Sequence, residues 1–161
     1  MDFKNKVVLI TGASSGIGKQ TAIEFAKLGS NIILVARRKD KLEQVENELK
    51  QFNVTTLICP CDVSKKDQVE IMSKTVLEKF NFVDILVNNA GFAIYGSVLD
   101  LSIEEIESQM ETNYFGMIYC TKNFLPLMLK KKSGHVVNVA SVAASFGLPG
   151  IASYCASKFA M

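Results

Sequence analysis

Five short apolar runs recur along the chain: Val7 to Thr11, Ile32 to Val35, Val54 to Ile58, Ile85 to Val87 and Val136 to Val139. They are continuous rather than alternating, the pattern of strands covered on both faces, as in parallel sheets. Between them lie helix-period stretches, Gly16 to Leu28, Asp40 to Phe52, Ser64 to Phe80 and a long one from about Ser102 to Lys132. Strand alternating with helix predicts repeated βαβ units. Right-handed crossovers then give an α/β doubly wound parallel sheet with its ligand crevice at the carboxyl ends of the strands. Punctuation agrees: Gly29-Ser30-Asn31 follows the first helix, and Asp62-Val63-Ser64 leads into the third with Ser64 as the expected N-cap. No linker, repeat or low-complexity tract divides the chain, so residues 1–161 read as a single domain.

On the long helix Ile103, Ile106, Met110, Met117 and Phe124 return at steps that define a buried face. Asn113 falls on that stripe. A buried amide left unpaired costs about 1 to 3 kcal/mol, so Asn113 must be bonded. The bond is either a plain helix-to-helix contact or part of a kink or water site close to chemistry. Pro126 removes a helix N–H and crowds the Lys122 carbonyl, which predicts a kink or break there.

Composition narrows the field. The 161 residues carry 18 basic and 16 acidic side chains, a net charge of +2, too little for a nucleic-acid footprint. Lys130-Lys131-Lys132 sits at an expected helix end, where cations favour the dipole and water. No apolar run reaches the roughly 18 residues of a membrane span, and the opening MDFKNK leads into a strand rather than a signal segment, so a cytoplasmic protein is expected. Cys59, Cys61, Cys120 and Cys155 lie in apolar surroundings, and Cys59-Pro60-Cys61 lacks the C-x-x-C spacing, so reduced, mostly buried thiols are expected. His135 stands alone at a strand entrance, and no metal site is expected.

The first run leads directly into Thr11-Gly12-Ala13-Ser14-Ser15-Gly16-Ile17-Gly18 and then into a helix rich in small residues. Gly12 can take the turn out of the strand, while Gly16 and Gly18 let the backbone approach a pyrophosphate and let helix pack closely on sheet. The helix N-terminus then offers free N–H groups to the anion. The spacing is G-x-x-x-G-x-G rather than the G-x-G-x-x-G of many dehydrogenases. A tight turn without ligand explains one such glycine easily and three with difficulty. About 20 residues past this turn a dinucleotide fold places an acid for the adenosine ribose, or a base where a 2′-phosphate must be held. Arg37 and Arg38 stand there, with no acid before Asp40. Guanidinium groups that can fork onto a phosphate favour NADP(H) over NAD(H), against the alternative of a solvated basic corner.

After the fifth run come Ser141, then Tyr154 thirteen residues later, then Lys158 four beyond that. Residues at i and i+4 share a helix face with Cβ atoms about 5 to 6 Å apart. A tyrosine with a pKa near 10 is a poor proton shuttle at neutral pH, but a neighbouring ammonium favours the phenolate, so Lys158 can tune Tyr154.

With TGASSGIG at Thr11 to Gly18, NNAG at Asn88 to Gly91, Asn113, Ser141 and YCASK at Tyr154 to Lys158, the chain resembles the short-chain dehydrogenase/reductase family. The match runs in order from Val7 to Met161. The resemblance implies a Rossmann fold and nicotinamide chemistry on a small carbonyl or alcohol substrate. By it, Tyr154 is the general acid of carbonyl reduction and the base of the reverse oxidation. Ser141 bonds the substrate oxygen, Lys158 binds the nicotinamide ribose and lowers the Tyr154 pKa, and Asn113 holds a water in the proton relay. Ser14, Ser15 and Ile17 belong to the cofactor turn, Asp62 and Val63 are adenine contacts, and Asn89, Ala90 and Gly91 line the cofactor and brace the sheet. Hydride comes from the cofactor, so the protein need only position the carbonyl and deliver a proton. Singly, Ser141 reads equally as a strand-end cap, Asn89 as a turn residue and Asp62 as a helix-entry acid. The competing class is a nucleotide-binding or regulatory module without chemistry; a methyltransferase on this fold gives no account of Arg37 or of the tyrosine–lysine pair.

The sequence ends three residues past Lys158. A six-stranded sheet of this kind needs a further crossover of roughly 30 residues, and only five strands are legible. The expectation is therefore the N-terminal part of a longer domain, C-terminal strands missing. Its fifth strand forms an apolar edge, and the part alone binds at most the adenosine half of the cofactor and is inactive or poorly soluble. The complete protein is expected to be a homodimer or homotetramer.

Overall fold

Val7–Thr11, buried at every residue, forms β1 at the centre of a wholly parallel sheet. The computed structural model describes residues 2–161. The elements follow as α1 (Gly16–Lys27), β2 (Asn31–Ala36), α2 (Lys39–Leu49), β3 (Thr56–Pro60), α3 (Lys66–Phe80) and β4 (Ile85–Asn88). Then come α4 (Ile103–Met110), α5 (Gly116–Lys131), β5 (His135–Asn138) and α6 (Ala152–Phe159). The strand order is β3-β2-β1-β4-β5, reversing direction of growth at β1, so the doubly wound Rossmann topology is realised and the crevice opens beyond β1 and β4.

The strand period of two sends alternate residues of β1 to opposite faces. Leu9 joins Ile33, Leu86, Val69, Val76 and Phe124 in one core under α3 and α5. Val8 and Ile10 join Ile32, Leu34, Ala22, Ala26 and Leu42 in the other, under α1 and α2. Both faces are covered, which is why the runs carry no alternation.

Four expectations are corrected. Ser64 does not cap α3: its hydroxyl donates to Asp62 Oδ1 at 2.8 Å, and the cap position falls to Lys65. β3 begins at Thr56 rather than Val54, because Asn53 turns left-handed (φ 53°) after a tight turn at Lys50–Phe52; it then extends to Pro60, tolerated because β3 is an edge. Pro126 does not break its helix. It and Lys122 lie on the exposed side of α5, where water can take the freed carbonyl, and α5 runs on to Lys131. The interruption comes earlier, as a wide π turn at Glu111–Phe115 that contains Asn113. That turn also rephases the stripe: Met117 and Phe124 are buried as expected, but Gln109 is the buried position of α4, and Ile103 is 64% exposed inside the Ser102–Glu105 capping box.

β5 is the other edge, with His135, Val137 and Asn138 exposed. All four cysteines are free and buried. Among the described residues no helix is long and apolar enough to cross a membrane.

Candidate active site

A cleft of about 430 Å³ opens at the carboxyl ends of the strands, within the range of ordinary small-ligand sites. Gly12, Ser14, Ser15, Gly16 and Ile17 form one part of its lining. Gly12 has φ +66°, and a Cβ there would press on Ala90 Cα at 2.9 Å. Gly18 does not line the cleft: it lies beneath, against the Gly12 carbonyl, and so carries the close helix-to-turn approach. Ser15 precedes α1 without any side-chain cap, leaving the first-turn amides open to an anion.

The turn is held from the neighbouring strand. Asn89 Nδ2 donates to the Thr11 carbonyl at 2.9 Å, and Thr11 Oγ1 accepts the amides of Asn89 and Ala90, both at 3.0 Å. Asn89, Ala90 and Gly91 line the cleft as well as bracing it, so both expected aspects meet in one segment.

On the β2 side, Arg37 and Arg38 also line the cleft, exposed and without an ion pair among the described residues. Asp62 and Val63 adjoin them. Asp62 Oδ1 accepts Ser64 N at 3.0 Å, and its own N–H donates to Gln68 Oε1 at 2.8 Å. Val63 is packed against Gly116, where a Cβ would meet Val63 Cγ2 at 2.7 Å. Gln68 and Gly116 thus shape this corner without any sequence motif to announce them.

On the β5 side, Tyr154 and Lys158 line the same cleft from α6. Lys158 is 4% exposed; its Nζ donates to the Val139 carbonyl at 2.9 Å and to Met161 Sδ at 3.3 Å, with no carboxylate partner among the described residues, and lies 5.9 Å from the Tyr154 ring centre. Burial lowers the Lys158 pKa below the ordinary lysine value. Ser141 is not among the lining residues. It follows Val139 and Ala140, which are, and its Oγ accepts Ala143 N at 3.2 Å, capping a short turn at Val142–Ala144. Its own O–H remains available.

Asn113 stands behind the cleft, fully buried, with its Oδ1 accepting Phe92 N at 3.0 Å. Its Nδ2 donates to the Phe92 carbonyl and to Ser157 Oγ, each at 2.9 Å. Ser157 in turn donates to the Tyr154 carbonyl at 2.8 Å. The wide turn is therefore tied both to the segment after β4 and to the tyrosine helix, a link through Ser157 that pattern reading missed because serine in a helix carries no signal of its own.

Fold and cleft together define a dinucleotide-type α/β protein with a tyrosine–lysine pair at the strand ends. The short chain dehydrogenase family model matches residues 6–161, and the chain belongs to that family. A dehydrogenase/reductase SDR family protein 7-like of Anopheles gambiae is 41% identical over 161 residues, covering 97% of this chain and 51% of that protein. Among solved structures, NAD+-bound xylitol dehydrogenase aligns with a TM-score of 0.95 at 31% identity, over 99% of this chain and 62% of that one. Alcohol dehydrogenase from the archaeon Thermococcus sibiricus, complexed with 5-hydroxy-NADP, aligns with a TM-score of 0.92 at 36% identity, over 98% and 67%. The chain spans about half the length of the curated relatives it matches.

Proposed function

We propose that this chain carries the cofactor site and proton-transfer residues of an NADP(H)-dependent oxidoreductase that interconverts an alcohol and a ketone, aldehyde or 3-oxoacyl carbonyl. The observation that carries the reading is that the uncapped glycine turn and the Tyr154–Lys158 pair open onto one cleft. The residues suit a nicotinamide dinucleotide. The α1 amides would take the pyrophosphate, Asp62 and Val63 the adenine, and Lys158 the nicotinamide ribose, with one N–H beyond those given to Val139 and Met161. When bound, the nicotinamide supplies or accepts the hydride. Arg37 and Arg38, unpaired at the end of β2, would fork onto a 2′-phosphate and so favour NADP(H).

In reduction, Tyr154 gives its phenolic proton to the carbonyl oxygen, and the Lys158 ammonium favours the phenolate left behind. Ser141 donates its free O–H to the same oxygen. Asn113 has both amide donors committed and its Oδ1 on the Phe92 N–H, so a relay water at this point would be held by the backbone of the wide turn around it. Four buried free thiols suit the reducing cytoplasm, and exposed Leu99, Ile103 and Phe115 around α4 support a homodimer or homotetramer.

A second reading, nucleotide binding without chemistry, is favoured by one observation: Ser141 accepts a bond from Ala143 and does not line the cleft. Two measurements separate them. NADPH is expected to bind at least about tenfold more tightly than NADH, since charge-assisted bonds to a phosphate are worth roughly 1.5 to 3 kcal/mol; equal affinities defeat the NADP(H) assignment. In the complete protein, turnover of 2,3-butanedione is expected to vanish in Tyr154→Phe, and a phenylalanine variant as fast as its parent defeats the catalytic one.

A further inference from the structure

Gln109 is completely buried, and nothing in the proposed chemistry uses it. Its Oε1 accepts the Ile94 N–H at 3.0 Å, while its Nε2 donates at 3.2 Å to the Glu105 carbonyl one turn back on α4. One turn further on, Asn113 brackets Phe92 through both its N–H and its carbonyl. Two amide side chains four residues apart therefore grip alternate residues of the segment that leaves β4. Among the described residues the intervening Ala93 amide, and that of Tyr95, have no protein acceptor. Phe92 and Ala93 line the cleft. Two residues past Ile94, the Gly96 N–H donates to the Gly150 carbonyl at 2.9 Å, in the turn that runs into α6 and Tyr154. An amide is a costly side chain to bury unless it is partnered, and here the partner is a backbone group of another segment.

We propose that Gln109 is a positioning residue for the substrate side of the cleft: by holding Ile94 it makes the Phe92–Gly96 segment a strut between α4 and the Gly150 turn, and so fixes the wall of the cleft that Tyr154 also lines. The catalytic consequence rests on the proton-transfer reading of Tyr154; the strut itself does not.

Residue-resolved amide hydrogen exchange tests it. In the unmodified chain the Phe92, Ile94 and Gly96 amides exchange slowly and those of Ala93 and Tyr95 fast. In Gln109→Met, which fills the same space without an acceptor, Ile94 and Gly96 exchange about tenfold faster while Val8 to Ile10 in β1 are unchanged. Gln109→Glu keeps the acceptor and restores slow exchange. Ile94 exchanging as fast as Ala93 in the unmodified chain overturns the proposal, and needs no variant to fold; so does a Gly96 amide indifferent to Gln109→Met, or a Glu variant that rescues nothing. With NADPH and 2,3-butanedione, Gln109→Met raises KM on the order of fivefold with a smaller change in kcat, the mark of lost positioning of bound substrate. A fall confined to kcat contradicts the assignment. These kinetics are read in the complete protein, where absence of turnover counts against the Tyr154 reading instead, and the exchange pattern then decides this one.

Discussion

Lys158 shows what a buried cation costs at the scale of one residue. Its ammonium is buried without a counter-charge among the described residues, and burial lowers its pKa. Lys158→Met should therefore abolish turnover yet raise stability by about 1 kcal/mol, read as the denaturation midpoint. The pH dependence has a definite sign. The folded state disfavours the charged form, a penalty fully present below the folded pKa and relieved as pH rises toward the ordinary 10.5, so the stability gap between variant and parent should narrow on the alkaline side. Arg37→Glu should weaken NADPH binding about tenfold or more and leave NADH binding little changed, measured by nucleotide fluorescence titration. Tyr154 and Lys158 were legible because i, i+4 spacing fixes a shared face whatever surrounds the helix. Gln109 and Ser157 were not, because their roles are bonds to backbone or side chains 15 and 44 positions away, which no local pattern encodes.

At the scale of elements, glycines mark where two elements must approach. A Cβ at Gly18 would collide with the Gly12 carbonyl, so Gly18→Ala should destabilise the chain by about 1 to 3 kcal/mol and remove dinucleotide binding, checked by thermal melting with and without NADPH. The strand order β3-β2-β1-β4-β5 came only with the structure, but the five strands could be read in advance because each is a continuous apolar run, and the doubly wound parallel class because strand alternates with helix. The long α4–α5 segment could not. Its periodicity predicted one long helix kinked or broken at Pro126, whereas the interruption is the wide turn at Glu111–Phe115, held by tertiary bonds of Asn113 to Phe92 and Ser157. Asn113→Ala should cost about 2 kcal/mol and loosen both the Phe92 segment and α6, seen as faster exchange in each while β1 is unchanged.

At the scale of the molecule, burial protects the thiols. It pushes the Cys59 thiol up to about 11 and those of Cys61 and Cys120 up to about 12, so a thiol reagent at pH 8 should label the folded chain slowly and all four cysteines at once in guanidinium. Because the folded state resists ionising these groups while the unfolded state does not, stability should decline as pH rises from about 9 toward 12. The two outer strands differ in a way that matters beyond packing. β3 closes on Pro60, which offers no N–H to a further strand, whereas β5 ends open and runs on into Val139, hung from the Asn88 carbonyl by a 2.9 Å bond. The Val139 carbonyl holds the Lys158 ammonium. The least covered strand and the buried lysine are thus mechanically in series, and a strain applied along that edge reaches the ammonium through its single hydrogen bond to the Val139 carbonyl.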